Sequence, residues 1–134
     1  MRLYHFAPAH MVDGIIAGGL TKGATPGLNS YGGLVGFITD TQWLTKESDF
    51  NKQAWATQKL IDYDRTAYRL SVVIPITHYN NLYDMDKFLK YIIQDGTKTM
   101  IRETPGNKDW YVYLGKIPAD WIKESIEKKD KAVE

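Results

Sequence analysis

Apolar and polar residues alternate along some stretches of this chain and recur at helical spacing along others. From Tyr68 to Pro75 the alternation is clearest: Leu70, Val72 and Ile74 point one way, Arg69, Ser71 and Val73 the other. That two-residue period predicts a strand, which Pro75 ends. Trp110 to Leu114 predicts a second strand, with Trp110, Val112 and Leu114 on one side and Tyr111 and Tyr113 on the other. Leu3–Phe6 and the β-branched run Leu34–Thr39 read as strands too. Trp43-Leu44-Thr45 reads as a short extended piece.

Helical spacing appears next. Pro8 suits a first helical position, where its missing N–H has no partner to lose. Met11, Val12, Ile15 and Ile16 then share a face, and Gly18-Gly19 supplies the stop. Asp84 or Asp86 can cap a helix whose face is Phe88, Leu89, Ile92 and Ile93, with Gly96 as its stop. Pro118 opens a last helix with Trp121, Ile122, Ser125 and Ile126 inside. On its outside Glu124 and Glu127 are placed to pair with Lys128 and Lys131. Its charged end covers about 123–134. Phe50 to Leu60 is ambiguous, with Phe50, Ala54, Trp55 and Gln58 able to share a helical face. Thr21–Gly33, rich in glycine, and Thr97–Lys108 read as loops. Strands outnumber helices without a regular βαβ alternation, so the expected class is α+β.

Composition narrows this only in places. The 134 residues suit one domain spanning 1–134, and 43% hydrophobic content argues against disorder. A net charge of +1 sets up no strong field toward nucleic acid or membrane. The chain has no cysteine, which excludes disulfides and thiolate-bound zinc and suits a cytoplasmic location. No apolar run approaches the ~20 residues of a membrane span. Four Trp and nine Tyr exceed the needs of a minimal core, so some aromatics are candidates for a pocket or an interface.

Several chemistries drop out. The histidines are His5, His10 and His78, and no pair has the spacing of a helical zinc motif, so no metal is expected. Ser30, Ser48 and Ser71 lack a nucleophile elbow, and there is no phosphate-binding P-loop or dinucleotide fingerprint.

One composite remains. Leu3-Tyr4-His5-Phe6, an apolar helix and Gly19-Leu20 are followed by a glycine-rich loop, Trp43-Leu44-Thr45 and Tyr68–Val72. Near the end stands Asp109–Pro118 with Ala119-Asp120-Trp121-Ile122 behind it. This order resembles the small ADP-ribosyltransferase-like families, near the RNA 2′-phosphotransferases, the DNA ADP-ribosyltransferase toxins and the rifampin ADP-ribosyltransferases. The resemblance implies split mixed or antiparallel sheets around a nucleotide cleft, with flanking short helices. It implies NAD as co-substrate, His5 on a ribose and Thr45 bracing the pocket. Tyr31 and Trp43 are then candidates to stack on nicotinamide, and Arg69 to grip the pyrophosphate. For His5, a packed structural histidine is the equal alternative; for Trp43, a core residue.

The chain departs from the family at one point. Aligned on Ile117-Pro118, the expected acid of the last strand falls at Trp110. Asp109 is one residue away and so faces the other side of a strand, and Glu103 lies in the preceding loop. These two are the candidate catalytic acids. Two functions therefore stand: an NAD-using ADP-ribosyltransferase with a cytoplasmic target, or a relative without catalysis that binds a protein. A phage-encoded inhibitor of a host defence protein, acting in host cytoplasm, is an instance of the second. A protein target is preferred to nucleic acid.

Overall fold

The computed structural model describes residues 1–31, 33–53, 64–91 and 95–129. The class is α+β, with mostly antiparallel sheets and a few short helices. In chain order the elements are β1 (Arg2–Ala7), α1 (Ala9–Gly18), β2 (Ala24–Leu28), β3 (Leu34–Thr39) and β4 (Thr41–Thr45). Then follow β5 (Tyr68–Val73), β6 (Leu82–Asp84), α2 (Met85–Tyr91), α3 (Asp95–Glu103), β7 (Trp110–Leu114) and β8 (Ile122–Lys128). A six-stranded sheet runs β6-β7-β4-β1-β5-β8, and β2-β3 forms a separate two-stranded hairpin. Most of the ambiguous stretch Phe50–Leu60 lies outside the described residues; its start, Phe50–Lys52, is a 3-10 turn.

Strand alternation sorts the core into two layers. Leu3, Ala7, Leu44, Leu70, Val72 and Tyr113 lie in one cluster with Val12 and Ile15 of α1. Val112 lies in the other with Met85, Phe88, Leu89 and Ile101, against which Trp43 and Trp110 pack. So α1 lies on one side of the sheet, and α2 and α3 lie on the other. Each fully buried Leu, Ile or Phe contributes about 2 kcal/mol of transfer free energy to this arrangement.

Three expectations are corrected. The last element is a strand, not a helix, and β8 pairs with β5 through Val72↔Ile122 and Leu70↔Ile126. An i, i+4 spacing fits either a helix or one face of a strand. The bare edge of β5 decides for the strand, because its N–H and C=O groups need partners. Glu127 therefore pairs with Arg69, across the ladder, and not with a helical lysine. The segment Thr21–Gly33 contains β2, despite Pro26 and Gly27, because β2 is held between β3, β4 and α3. The segment Thr97–Lys108 contains most of α3. There the buried face is Thr97 and Ile101, too thin a stripe for sequence periodicity to show.

Smaller shifts follow the same logic. Pro8 stands at the N-cap, one position before α1. The α1 face narrows to Val12 and Ile15, leaving Met11 and Ile16 exposed. Asp84 caps α2 as expected, its Oδ1 accepting from Lys87 N at 2.9 Å. Gly96 is not a stop but part of α3. A Cβ there would sit 1.8 Å from the Asn29 carbonyl oxygen, so only glycine lets the helix touch the β2–β3 hairpin.

Candidate functional site

β1 and β5 pair at six positions, but β1 and β4 pair at Tyr4↔Thr45 alone. His5 stands where that ladder parts. Its half-buried ring reaches across to β4, with Nδ1 2.8 Å from the Trp43 carbonyl oxygen. A carbonyl only accepts, so the proton is on Nδ1 and Nε2 is the accepting nitrogen. Burial lowers the imidazole pKa, and the bond to Trp43 opposes this only in part. His5 is therefore neutral at pH 7, with its acceptor directed by the fold.

Alternation places other chemistry on the same face. Gln42 and Leu44 share the His5 side of β4, and Lys46 follows directly after the end of that strand. Tyr111 and Tyr113 occupy that side of β7, and Asp109 precedes Tyr111 by two residues. Lys46 N donates to Asp109 O at 2.9 Å, extending the β4–β7 ladder. The Lys46 Nζ lies 4.0 Å from the Asp109 carboxylate and 6.0 Å from the Tyr111 ring centroid. Two strand spacings, about 10 Å, separate β1 from β7. Beside this row, where α2 and α3 meet the β6–β7 end of the sheet, lies a groove of about 990 Å³. Its lining carries Lys46, Lys90, Lys98, Arg102 and Lys108 against Asp84 and Asp86, with Tyr111 as its aromatic wall. Such an excess of cations raises the local concentration of anions even on a chain of near-zero net charge.

The other candidates are dispersed. Trp43 and Thr45 face away from His5. Trp43 packs on Phe88 and Trp110, at 5.6 and 5.7 Å between rings, and its Nε1 donates to Thr25 Oγ1 at 2.9 Å. Thr45 is buried, and its hydroxyl accepts from Glu47 N at 3.0 Å, bracing the turn after β4. Arg69 lies between the rings of Tyr4 and Phe50, each 5.2 Å away, donates to Ser48 O at 2.8 Å and pairs with Glu127. Asp64 is held by Thr66 and Lys129. Tyr31 is 96% exposed at the tip of the β2–β3 hairpin. Glu103 ends α3, exposed, next to the groove residue Arg102. The His78 ring packs tilted against Trp121, 4.7 Å between centroids, and His10 is exposed.

Of the expected site residues, His5 lies on β1 and Asp109 in the turn before β7, with β4 between the two strands; the side chains of Tyr31, Trp43, Thr45 and Arg69 lie elsewhere. The face of Trp110, where the resemblance puts the expected acid, is turned toward α2 and α3; Asp109 ends the 3-10 turn Asn107–Asp109 just before it. Sequence reasoning missed Lys46, Arg102, Lys108 and Tyr111, which are scattered over the turn after β4, α3, the 3-10 turn before β7 and β7, with no shared spacing. Among the described residues no group of three or more His, Cys, Asp or Glu is placed to hold a metal, and no helix is long and apolar enough to cross a membrane. No family model, curated protein or solved structure matches the chain.

Proposed function

We propose that this protein binds a nucleotide with a pyrophosphate, NAD in the first instance, and transfers ADP-ribose from it to a cytoplasmic protein, as its resemblance to the ADP-ribosyltransferase-like families implies. The observation that carries this reading is the neutral His5 on the same sheet face as Tyr111, whose ring, with Lys46 beside it, walls a basic groove. His5 Nε2 accepts a ribose hydroxyl. Lys46, Arg102 and Lys108 meet the phosphates through charge-assisted hydrogen bonds. The Tyr111 ring offers a flat apolar wall.

Asp109 is the acid in this scheme, with Glu103 the reserve at the groove margin. As the bond from ribose C1′ to nicotinamide breaks, its electron pair leaves with nicotinamide and C1′ becomes cationic; a nucleophilic side chain of the target protein then bonds to C1′ and gives up its proton to solvent. A carboxylate near C1′ stabilises that charge. Lys46 offsets Asp109 in the free protein; phosphates that draw Lys46 away release the carboxylate for C1′.

Calorimetric titration with NAD and ADP-ribose, followed by a nicotinamide-release assay, tests this. Binding with turnover, lost in His5→Ala and Asp109→Asn, supports the reading. Lys46→Ala weakens binding roughly ten-fold, the scale of one charged hydrogen bond. Absence of NAD binding refutes it.

A separate observation favours a second reading, a protein-binding module without catalysis, such as a phage-encoded inhibitor of a host defence protein. Tyr31, Leu34, Val35 and Phe37 are exposed on a single hairpin. Under this reading NAD does not bind, and Phe37→Ala abolishes capture of the protein partner.

A further inference from the structure

From Gly23 to Thr39 the chain carries no charged side chain. β2 and β3 lie within this stretch and pair as a hairpin. Its exposed apolar residues are Tyr31, Leu34 (59% exposed), Val35 (54%) and Phe37 (62%). Among the described residues β3 pairs with β2 alone, so its outer edge presents unpaired backbone groups. Proteins ordinarily protect such an edge with charges, proline or a covering element. β3 has no charge and no proline, and its one irregularity is the register shift that leaves Val35 unpaired near the tip.

The hairpin is nevertheless held firmly at its base. Thr97 Oγ1 accepts from Leu28 N at 2.8 Å and donates to Pro26 O at 2.9 Å, tying the hairpin to α3. Thr25 Oγ1 bonds both Thr41 Oγ1 and Trp43 Nε1, tying it to β4. A strand presented in this way loses little further freedom on docking.

We infer that the β3 edge is an interface with a second copy of this chain, the two β3 strands pairing antiparallel about a twofold axis near Phe37. Three arguments select this occupant. An edge strand is satisfied by another strand. An uncharged strand pairs without stranding a desolvated charge only if its partner is also uncharged there, and β3 itself meets that requirement. Antiparallel pairing of identical strands is self-complementary and closes at two copies, leaving neither edge bare. The apolar side chains that then meet across the axis, Val35 and Phe37, are the ones the single chain leaves in water.

The patch is small beside a standard interface, so the dimer is expected to assemble in the micromolar range. Sedimentation velocity on the full chain is the test. At about 100 µM, well above a micromolar dissociation constant, the expected species has twice the 15.3 kDa chain mass. Phe37→Lys and Val35→Glu place charges at the pairing edge and return the monomer; their circular dichroism spectrum is unchanged, and they lose only the rise in melting temperature with protein concentration that the dimer shows. Because the chain lacks cysteine, Thr39→Cys carries a single nitroxide label, and the label-to-label distance in the dimer falls near 20 Å, a few strand residues on either side of the axis. A monomer at about 100 µM, on the same micromolar scale, overturns the inference. So does a dimer that survives Phe37→Lys. A monomer that cosediments with zwitterionic lipid vesicles, or that instead takes up an uncharged β-strand peptide, also overturns it and reassigns the arm to that occupant.

Discussion

Gly96→Ala tests whether α3 and the β2–β3 hairpin touch as described. The new Cβ would lie 1.8 Å from Asn29 O, 2.7 Å from Asn29 C and 2.8 Å from Leu28 O. All three are backbone atoms, so no side chain can swing away. An ordinary C···O contact is about 3.3 Å, so the hairpin and helix must separate by roughly 1.5 Å. That movement takes the two Thr97 hydroxyl bonds, at 2.8 and 2.9 Å, beyond hydrogen-bonding range. Thr97 is fully buried, so water does not readily replace them. Two lost buried bonds cost about 2–4 kcal/mol, and the steric adjustment adds about 1 kcal/mol. The better helix propensity of alanine returns about 1 kcal/mol. The net loss is about 2–4 kcal/mol, a large part of a typical domain's stability. For a chain of this length 1 kcal/mol corresponds to about 3.5 °C, so the expected fall in melting temperature is about 7–14 °C. Calorimetry reads the melt, and tryptophan fluorescence reports on Trp43, whose indole is bonded to the hairpin. The control is Gly14→Ala in α1, where an added Cβ meets nothing within 4 Å. It should stabilise by about 0.5–1 kcal/mol. If Gly96→Ala melts like the wild type or like Gly14→Ala, the helix–hairpin contact is wrong.

Other predictions follow from single side chains. The His5 pKa is lowered in the folded chain, so the unfolded chain binds a proton near pH 6.5 that the folded one refuses. Its effect is a loss of stability as pH falls below about 6.5, levelling off once the folded ring protonates; His5→Gln should remove that part of the slope in urea melts from pH 7.5 to 5. Asp64 has the opposite partners: burial raises its pKa, but hydrogen bonds from Thr66 and the charge and hydrogen bond of Lys129 outweigh it and lower the value. The stability it adds is present above the usual carboxylate range and lost as pH falls through its depressed value, so Asp64→Asn should flatten the acid limb. Arg69→Met removes a pair and a backbone bond from a side chain that is 17% exposed and should cost about 1–3 kcal/mol; under the nucleotide-binding proposal it leaves NAD affinity unchanged. Loss of NAD binding at wild-type stability would instead return Arg69 to the ligand site. Trp43→Phe removes the indole donor to Thr25 and should cost about 1–2 kcal/mol, visible in the same melts.

Local periodicity carried much of the fold. Alternation over Tyr68–Val73 and Trp110–Leu114 predicted β5 and β7 with their faces, because a two-residue period is a property of the strand itself. Pro8, Gly18 and Gly19 marked α1 because backbone limits at proline and glycine are equally local. Only tertiary structure decided β8, since Ile122 and Ile126 fit a helix or a strand and the bare edge of β5 supplied the energy difference. It also decided β2 and α3, whose stability comes from each other through Gly96 and Thr97. The candidate site divided along the same line. A histidine on β1 was legible, but its tautomer, its bond to Trp43 and the face it shares with Tyr111 depend on which strands lie side by side. Strand order is set by long-range burial and hydrogen-bond closure, and no short stretch of sequence encodes it.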